Sequence, residues 1–216
     1  MIDLHSHTFL SDGVLVPSEL VRRAQVMGHE AIALTDHVDA SNLEYVVSKL
    51  VETASALKES LPIQVIPGVE ITHVPPSQIG AMISEARRLG ARLVLVHGET
   101  IVEPVAEGTN RAAIKGGVDI LAHPGLITRH DARLAAERGV ILELTSRRGH
   151  SITNGHVAQM AKKQKARMVL NTDSHAPSDL INDDMARRIV LGAGLSGNDY
   201  NKLKKCSEGL AQNVSI

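Results

Sequence analysis

Short apolar segments alternate with longer amphipathic segments along the whole chain. The strand-like segments lie at about residues 2–6, 31–35, 63–70, 92–97, 118–122, 140–145 and 167–171. Segments with helical length and spacing follow at about 17–28, 41–60, 76–90, 104–116, 129–138, 154–165, 178–192 and 198–209. Strands that alternate with helices form parallel βαβ units. The pattern therefore predicts an α/β fold with seven parallel strands.

Helix boundary signals agree with these segments. Pro17 marks a helix start, and Gly28, Gly90, Gly116 and Gly139 are predicted to end helices. With no linker, repeat or low-complexity stretch, we expect residues 1–216 to form a single domain.

Polar residues with metal-ligand chemistry follow nearly every predicted strand. These candidate ligands are His5, His7, Asp12, His37, Glu70, His97, His123, Asp173 and His175. An open sheet would spread them along a line, whereas a closed barrel gathers all the C-terminal strand ends around one mouth. We therefore predict a seven-strand βα barrel.

The spacing within the candidate set indicates transition-metal binding. His5 and His7 share one face of their strand because side chains alternate with period two, and Asp173 and His175 have the same spacing. Nine donors exceed the needs of one tetrahedral ion, so two or three ions are expected, and mixed N and O ligands suit Zn, Mn or Fe. A hydroxide that bridges such ions is a strong nucleophile, which favours phosphoester hydrolysis.

Composition narrows the expected partners. The formal charge is −1, and the chain has one Phe, two Tyr and no Trp. This balance gives no basis for nucleic-acid or membrane binding, so a small phosphorylated substrate is expected. The single cysteine, Cys206, favours a reducing cytoplasm, and neither a membrane span nor a signal peptide is predicted.

The ordered strand ends resemble the PHP (polymerase and histidinol phosphatase) superfamily over nearly the whole chain. The motifs are His5-Ser6-His7 with Asp12, Thr35-Asp36-His37, Gly68-Val69-Glu70 through His97 and His123, and Asp173-Ser174-His175. The resemblance implies a distorted (β/α)7 TIM-like barrel with a trinuclear metal cluster at the C-terminal mouth of the strands.

The resemblance also implies a ligand set for each ion. His5, His7, Glu70 and Asp173 would hold the first ion, and Glu70, His97 and His123 the second, with Glu70 bridging. Asp12, His37 and His175 would hold the third. Several members carry His where this chain has Asp12, so the third site here has a hard oxygen donor in place of a nitrogen donor.

Several other residues are candidates for catalysis. Arg147 is expected to bind a substrate phosphate in preference to Arg148, and His150 or His156 to act as general acid or substrate contact. Asp36 and Glu99 are candidates for orienting imidazoles, Asp36 also for donating a proton, and Glu143 for pointing into the barrel. His29, His73 and His130 have no assigned role.

Three functions compete. A metal-dependent phosphatase acting on a small monoester, similar to histidinol phosphate phosphatase, agrees best with these residues. A phosphodiesterase or nuclease acting on small nucleotides or nucleic acid ends is the alternative. A non-enzymatic RNA-binding barrel subunit needs no intact ligand set and would show a basic face, which the charge balance disfavours.

Overall fold

Eight strand segments form one parallel sheet in the computed structural model, which describes residues 1–58 and 60–214. The strands are Ile2–Asp3 (β1), Ala31–Leu34 (β2), His37–Val38 (β3), Gln64–Ile71 (β4), Leu93–His97 (β5), Ile120–Ala122 (β6), Ile141–Thr145 (β7) and Met168–Asn171 (β8). The helices are Pro17–Val26 (α1), Leu43–Leu57 (α2), Pro76–Leu89 (α3), Thr109–Gly116 (α4), Arg129–Arg138 (α5), Asn154–Gln164 (α6), Asp183–Gly192 (α7) and Gly197–Asn213 (α8). Short 3-10 turns occupy His150–Thr153 and Pro177–Asp179.

The sheet is nearly closed into a barrel. Its strands follow the order β1-β2-β4-β5-β6-β7-β8, with β3 paired to β4. The residues after β1 meet those after β8: the Asp173 amide donates to the His5 carbonyl (2.9 Å), and the His7 amide donates to the Ser174 carbonyl (2.8 Å). The predicted α/β barrel is confirmed.

The second predicted strand, 31–35, forms as β2, and a further short strand that was not predicted, β3, follows it. β2 ends at Leu34, and β3 begins at His37 beside Glu70. Between them, Thr35 and Asp36 bond to the segment after β1: Thr35 Oγ1 accepts from the Ser6 amide (3.0 Å), and Asp36 Oδ1 accepts from the Thr8 amide (2.9 Å). The backbone also bonds here, since the Thr35 amide donates to the Ser6 carbonyl (2.8 Å) and the Glu70 amide donates to the Asp36 carbonyl (3.1 Å). β2 and β3 therefore share one barrel position, and eight segments occupy seven positions.

The apolar side chains form two layers. The outer layer lies between strands and helices, and the inner layer fills the barrel with side chains such as Leu4, Ile66 and Leu95. Ala211 and Val214 join the inner layer, and Gln64 Nε2 donates to the Ala211 carbonyl (2.9 Å). The last helix therefore extends past its predicted end at 209 and covers the amino-terminal end of the barrel.

Several other helix boundaries differ from the prediction, and α2 is Leu43–Leu57 rather than 41–60. α4 begins at Thr109 rather than 104, since Glu99 Oε1 accepts from the Asn110 amide (2.8 Å) and caps the helix there. It is followed by Gly117 (φ 75°) as its cap, not by Gly116. α7 begins at Asp183 rather than 178, because the Asn182 side chain caps it.

Gly90 and Gly139 end α3 and α5 as predicted, with φ of 111° and 73°. α1 ends at Val26, with Gly28 two residues later at φ 84°. Within the part of the chain that the structure describes, no helix combines the length and apolar character needed to cross a membrane.

Candidate metal centre

All nine predicted ligands meet at the carboxyl-terminal mouth of the barrel. They divide among overlapping groups in which one donor atom per residue lies within 4.8 Å of the others. The groups are His5, His7 and Glu70; His5, His123 and Asp173; His97, His123 and His150; and His7, Asp12, His37 and His175. The parallel strand ends thus bring together donors that are up to 170 residues apart, from His5 to His175.

Glu70 lies at the centre of the cluster. Its Oε2 is 3.2 Å from His5 Nε2 and 2.9 Å from His37 Nδ1, and its Oε1 is 3.5 Å from His123 Nε2. The side chain is fully buried, yet neither oxygen makes a hydrogen bond to the described residues. A buried carboxylate without such partners is costly unless a cation binds it. The environment of Glu70 therefore fits a bridging metal ligand.

Asp173 connects the first two predicted groups. Its Oδ1 lies 3.2 Å from His7 Nε2, and its Oδ2 lies 3.6 Å from His123 Nε2. Glu70 and Asp173 each lie within 4 Å of Nε2 of His5, His7 and His123, an arrangement that can hold two adjacent ions.

The third predicted group lies nearer to solvent. Asp12 Oδ1 is 3.5 Å from His37 Nε2 and 3.2 Å from His175 Nε2. The Asp12 side chain is 57% exposed, whereas Glu70 is fully buried. An ion in this group would face the open cavity.

Hydrogen-bond partners at Nδ1 orient the other ring nitrogen of two imidazoles toward the centre of the cluster. His5 Nδ1 lies 2.9 Å from Glu143 Oε1, and His175 Nδ1 lies 3.0 Å from the Asp173 carbonyl. A proton on Nδ1 leaves Nε2 as the lone-pair donor, which is the form that binds metal. Glu143 points into the barrel, as the alternation on its strand predicts.

The crowded charges shift the pKa values of the buried groups. Burial opposes the charged form of His5, but Glu143, Glu70 and Asp173 outweigh it and raise the His5 pKa well above its ordinary value. Burial, followed by His37 and His5, lowers the pKa of His7. Burial raises the pKa of Asp173. These opposed pKa shifts follow from burial and from the close packing of carboxylates and imidazoles.

Asp36 and Glu99 have partners other than imidazoles. Asp36 is fully buried and accepts hydrogen bonds from Thr8 and from Ser11 Oγ (2.7 Å), which fixes the loop that carries Asp12. Burial raises the Asp36 pKa. No described imidazole hydrogen-bonds to the Asp36 carboxylate, because this loop occupies it; the proton-donor role stays a prediction. Glu99 caps α4 instead.

Arg147 lines the cavity above the cluster, whereas Arg148 is exposed outside it. Arg147 Nη1 donates to Asp179 Oδ2 (3.1 Å), and the same oxygen accepts from the His175 amide (3.0 Å). Asp179 therefore holds the guanidinium beside the third predicted group. His156 bonds to the Ile127 carbonyl and lies outside the cavity.

His150 belongs to the cluster itself. Its ring stacks on His123 with centroids 4.2 Å apart, and its Nδ1 lies 2.7 Å from Thr100 Oγ1. Burial, with help from His123, lowers its pKa to about 3. A neutral imidazole is suited to binding a metal or a substrate, and the general-acid role of His150 stays a prediction.

Sequence reasoning missed Glu103, which lies in the loop between β5 and α4. Its Oε2 is 3.0 Å from His97 Nε2 and its Oε1 is 3.4 Å from His150 Nε2. A hydrogen bond from His97, together with other imidazoles, lowers the Glu103 pKa to about 2. The residue follows no strand directly; the one available signal was an acidic residue in the long loop after His97.

The comparisons with known proteins agree with this geometry. The model of the PHP domain family matches residues 3–176. An uncharacterized protein of Methanocaldococcus jannaschii is 51% identical over 199 residues, covering 91% of each chain. The 5'-3' exoribonuclease Rnm of Escherichia coli is 34% identical over 148 residues, covering 63% of this chain and 48% of the exoribonuclease. The chain thus matches about half the length of that relative.

A protein of Shewanella pealeana named "Probable phosphatase" is 27% identical over 217 residues, covering 88% of this chain and 83% of its own. Among solved structures, a chain of archaeal ribonuclease P with mature tRNA has a TM-score of 0.74 at 19% identity, covering 97% of this chain and 90% of that one. At that identity the likeness concerns the fold alone. The match to the family model over residues 3–176, on a barrel that gathers the complete motif set, shows that this chain belongs to the PHP domain family.

Proposed function

We propose that this protein is a metal-dependent hydrolase of phosphate esters whose substrate is a small phosphate monoester. The observation that carries the proposal is the convergence of nine metal-ligating side chains around Glu70, a buried carboxylate whose oxygens lack hydrogen-bond partners among the described residues. Relatives named as a phosphatase and as an exoribonuclease both cleave phosphoester bonds, which supports the reaction class.

The proposed ligand sets follow the family pattern. On that pattern His5, His7, Glu70 and Asp173 would hold one ion, Glu70, His97 and His123 a second, and Asp12, His37 and His175 a third. The side chains support the first set through the group His5, His7 and Glu70 and the third through the group His7, Asp12, His37 and His175, whereas His97 and His123 group with His150. Bound Zn, Mn or Fe ions supply Lewis-acid chemistry, which activates water for attack and stabilises charge on the phosphoryl oxygens.

The protein side chains bind and orient the ester. Arg147, held by Asp179 at the cavity wall, offers its remaining N–H donors to a phosphate oxygen. The neutral His150 imidazole lines the same cavity, and we assign it a contact with the substrate. We propose for Asp36 a positioning role, exerted through the loop that carries Asp12.

The cavity favours a small substrate. Its volume is about 400 Å³, and no Phe, Tyr or Trp among the described residues lines it. Binding of exposed nucleic-acid bases relies on aromatic stacking, at about 1–3 kcal/mol per base. A compact monoester therefore suits this cavity better than a polynucleotide.

A phosphodiesterase acting on small nucleotides or on nucleic-acid ends is the second candidate. The 34% identity to an exoribonuclease favours it. RNA binding without catalysis is the third candidate, and such a role would not require the complete set of metal-ligating side chains that the barrel mouth contains.

A panel of monoesters and diesters, assayed with added Mn, Zn or Fe, tests the proposal. We expect turnover of at least one monoester, abolished by His5→Ala and retained by His130→Ala, since His130 is exposed on α5. Turnover of diesters alone would favour the second candidate. If metal-loaded protein hydrolysed none of these esters, the proposal that the protein is an enzyme would be refuted.

A further inference from the structure

A second cavity lies at the opposite end of the barrel from the metal centre. It is a groove of about 730 Å³, compared with about 400 Å³ for the cavity over the cluster. Its walls are the end of α6, the start of β8 and one side of α8. Because β8 runs toward the mouth, its first residues lie at the amino-terminal end of the barrel. None of the described lining residues is a candidate metal ligand or catalytic residue.

The floor of the groove is apolar. It is formed by small or apolar side chains that are buried or half-buried: Ala161, Ala166, Met168, Leu203, Cys206 and Leu210. Removing such surface from water is favourable, and exposed apolar grooves with polar rims commonly bind partners.

The rim of the groove is basic. Five of its six described charged side chains are cations: Lys162, Lys165, Arg167, Lys202 and Lys205. The chain as a whole has 23 Lys and Arg against 24 Asp and Glu, so this excess is local. The one acid, Asp199, pairs with Lys162 (3.1 Å) and Lys202 (3.8 Å). The other three cations have no carboxylate partner among the described residues, which favours an anionic ligand.

Lys165 occupies a backbone position that favours glycine. It ends α6 with a φ of 59°, in the place where Gly90 and Gly139 end α3 and α5. A side chain in this left-handed region is strained, whereas glycine is not. Glycine would therefore end α6 at least as well, and the lysine keeps a cation on the rim at some cost in stability.

α8 presents one regular stripe of residues to the groove. Asp199, Lys202, Cys206, Gly209 and Asn213 recur every three or four positions. The stripe is about 21 Å long at 1.5 Å per residue. An added Cβ at Gly209 would meet none of the described atoms within 4 Å, so this glycine leaves a notch that another backbone can approach. Such spacing suits a second helix packed alongside α8.

We propose that this groove binds an acidic amphipathic helix of a partner protein, with apolar side chains on the floor and carboxylates against the basic rim. No Phe, Tyr or Trp is among the described lining residues, so nucleic-acid bases would find no stacking partner. A symmetric dimer through this face would set like charges against each other. The groove is remote from the metal centre, so the inference does not rest on the proposed function.

The single cysteine of the chain reports on the groove, because Cys206 lies on its floor. The probe is a designed peptide of about 15–20 residues, long enough to span the stripe, with leucines at helical spacing flanked by glutamates. At about ten times its Kd, the peptide should slow labelling of Cys206 by a maleimide about tenfold. The same peptide with lysines in place of the glutamates is the control and should leave the labelling rate unchanged.

Fluorescence anisotropy of the labelled acidic peptide gives its Kd for each variant. Gly209→Leu should weaken binding by about tenfold or more, because leucine fills the notch and also strengthens the helix. Lys165→Gly combined with Lys205→Gln should weaken it by about fivefold, since two cations are lost while glycine relieves the strained φ. Lys49→Gln, an exposed lysine on α2 outside the groove, is the matched control.

Several results would overturn the proposal. These are unprotected Cys206 with the acidic peptide, equal affinity for the lysine peptide, or unchanged affinity in the groove variants. Binding of a single-stranded oligonucleotide in place of the peptide, lost in the same variants, would assign the groove to nucleic acid. A concentration-dependent dimer that Gly209→Leu abolishes would assign it to a second copy of the chain. Circular dichroism checks that each variant is folded.

Discussion

Replacement of Glu143 by glutamine tests how the barrel interior prepares His5 for metal binding. Glu143 is fully buried; its Oε1 lies 2.9 Å from His5 Nδ1 and 2.7 Å from Asn171 Nδ2, and its Oε2 accepts from the His123 amide at 3.0 Å. All three partners donate, and an ionised carboxylate only accepts. Glutamine preserves the shape but turns one acceptor atom into a donor.

Both orientations of the new amide leave a mismatch. If its NH₂ group faces the His123 amide, two donors meet, and a buried unpaired donor costs about 1–3 kcal/mol. If the NH₂ group faces His5, Nδ1 must accept and the ring proton moves to Nε2, the atom that lies 3.2 Å from Glu70. Loss of such a supporting partner lowers metal affinity by about 10–100-fold, or about 1.4–2.8 kcal/mol at 1.4 per tenfold.

Two measurements check this prediction. Thermal unfolding of metal-free protein reports the lost hydrogen bonding, and competition with a chromophoric chelator reports Zn²⁺ affinity. Glu137→Gln, an exposed acid paired with Arg133, is the control and should change neither. Unchanged Zn²⁺ affinity in Glu143→Gln would show that Glu143 does not set the His5 tautomer.

The remaining predictions concern stability. Gly68→Ala should destabilise the protein by about 1–3 kcal/mol, because an added Cβ would lie 2.7 Å from the Leu93 carbonyl oxygen. Gly80→Ala should stabilise it by about 0.4–1 kcal/mol, because an added Cβ on α3 would meet open space. Chemical denaturation of both variants tests this contrast. Ser196→Ala should cost about 1 kcal/mol at neutral pH, since Ser196 caps α8 and its hydrogen bonds lower the Asp199 pKa. A carboxyl group whose pKa is lowered by folding contributes stability above its unfolded pKa of about 3.9, and this contribution is lost as pH falls through the folded pKa. The difference in unfolding free energy between parent and variant should therefore shrink below about pH 4. A difference that is constant with pH would contradict this. Saturating Zn²⁺ at about 100 times Kd should stabilise the parent by about 2.7 kcal/mol per site, and a melting temperature indifferent to EDTA would exclude linked binding.

Much of the metal centre could be predicted because it depends on local pattern and on one global rule. Runs such as Leu93–Val96 indicate strands, and parallel strands end at the same mouth. The residues that follow each strand must then converge, whatever the details of packing. The placement of His5, Glu70 and Asp173 in one cluster follows from this rule.

Other features depend on contacts between distant segments. The break after Leu34 results from the bonds of Thr35 and Asp36 to residues 6–11, and the start of α4 results from the Glu99 cap. Glu103 reaches the cluster through the path of a loop, which no periodicity encodes. Such loop conformations follow from tertiary hydrogen bonding, and sequence spacing alone does not determine them.

The meeting of the first and last strands makes the metal centre a cross-link of the barrel seam. His5 and His7 lie on one side of this seam and Asp173 and His175 on the other, with few backbone hydrogen bonds between them. An ion shared by His7 and Asp173 would join the two ends of the domain as a disulfide does, but reversibly. Chelation should therefore loosen the seam before the rest of the barrel, and the amides of His7 and Asp173 should exchange with deuterium earlier than those of β4 and β5.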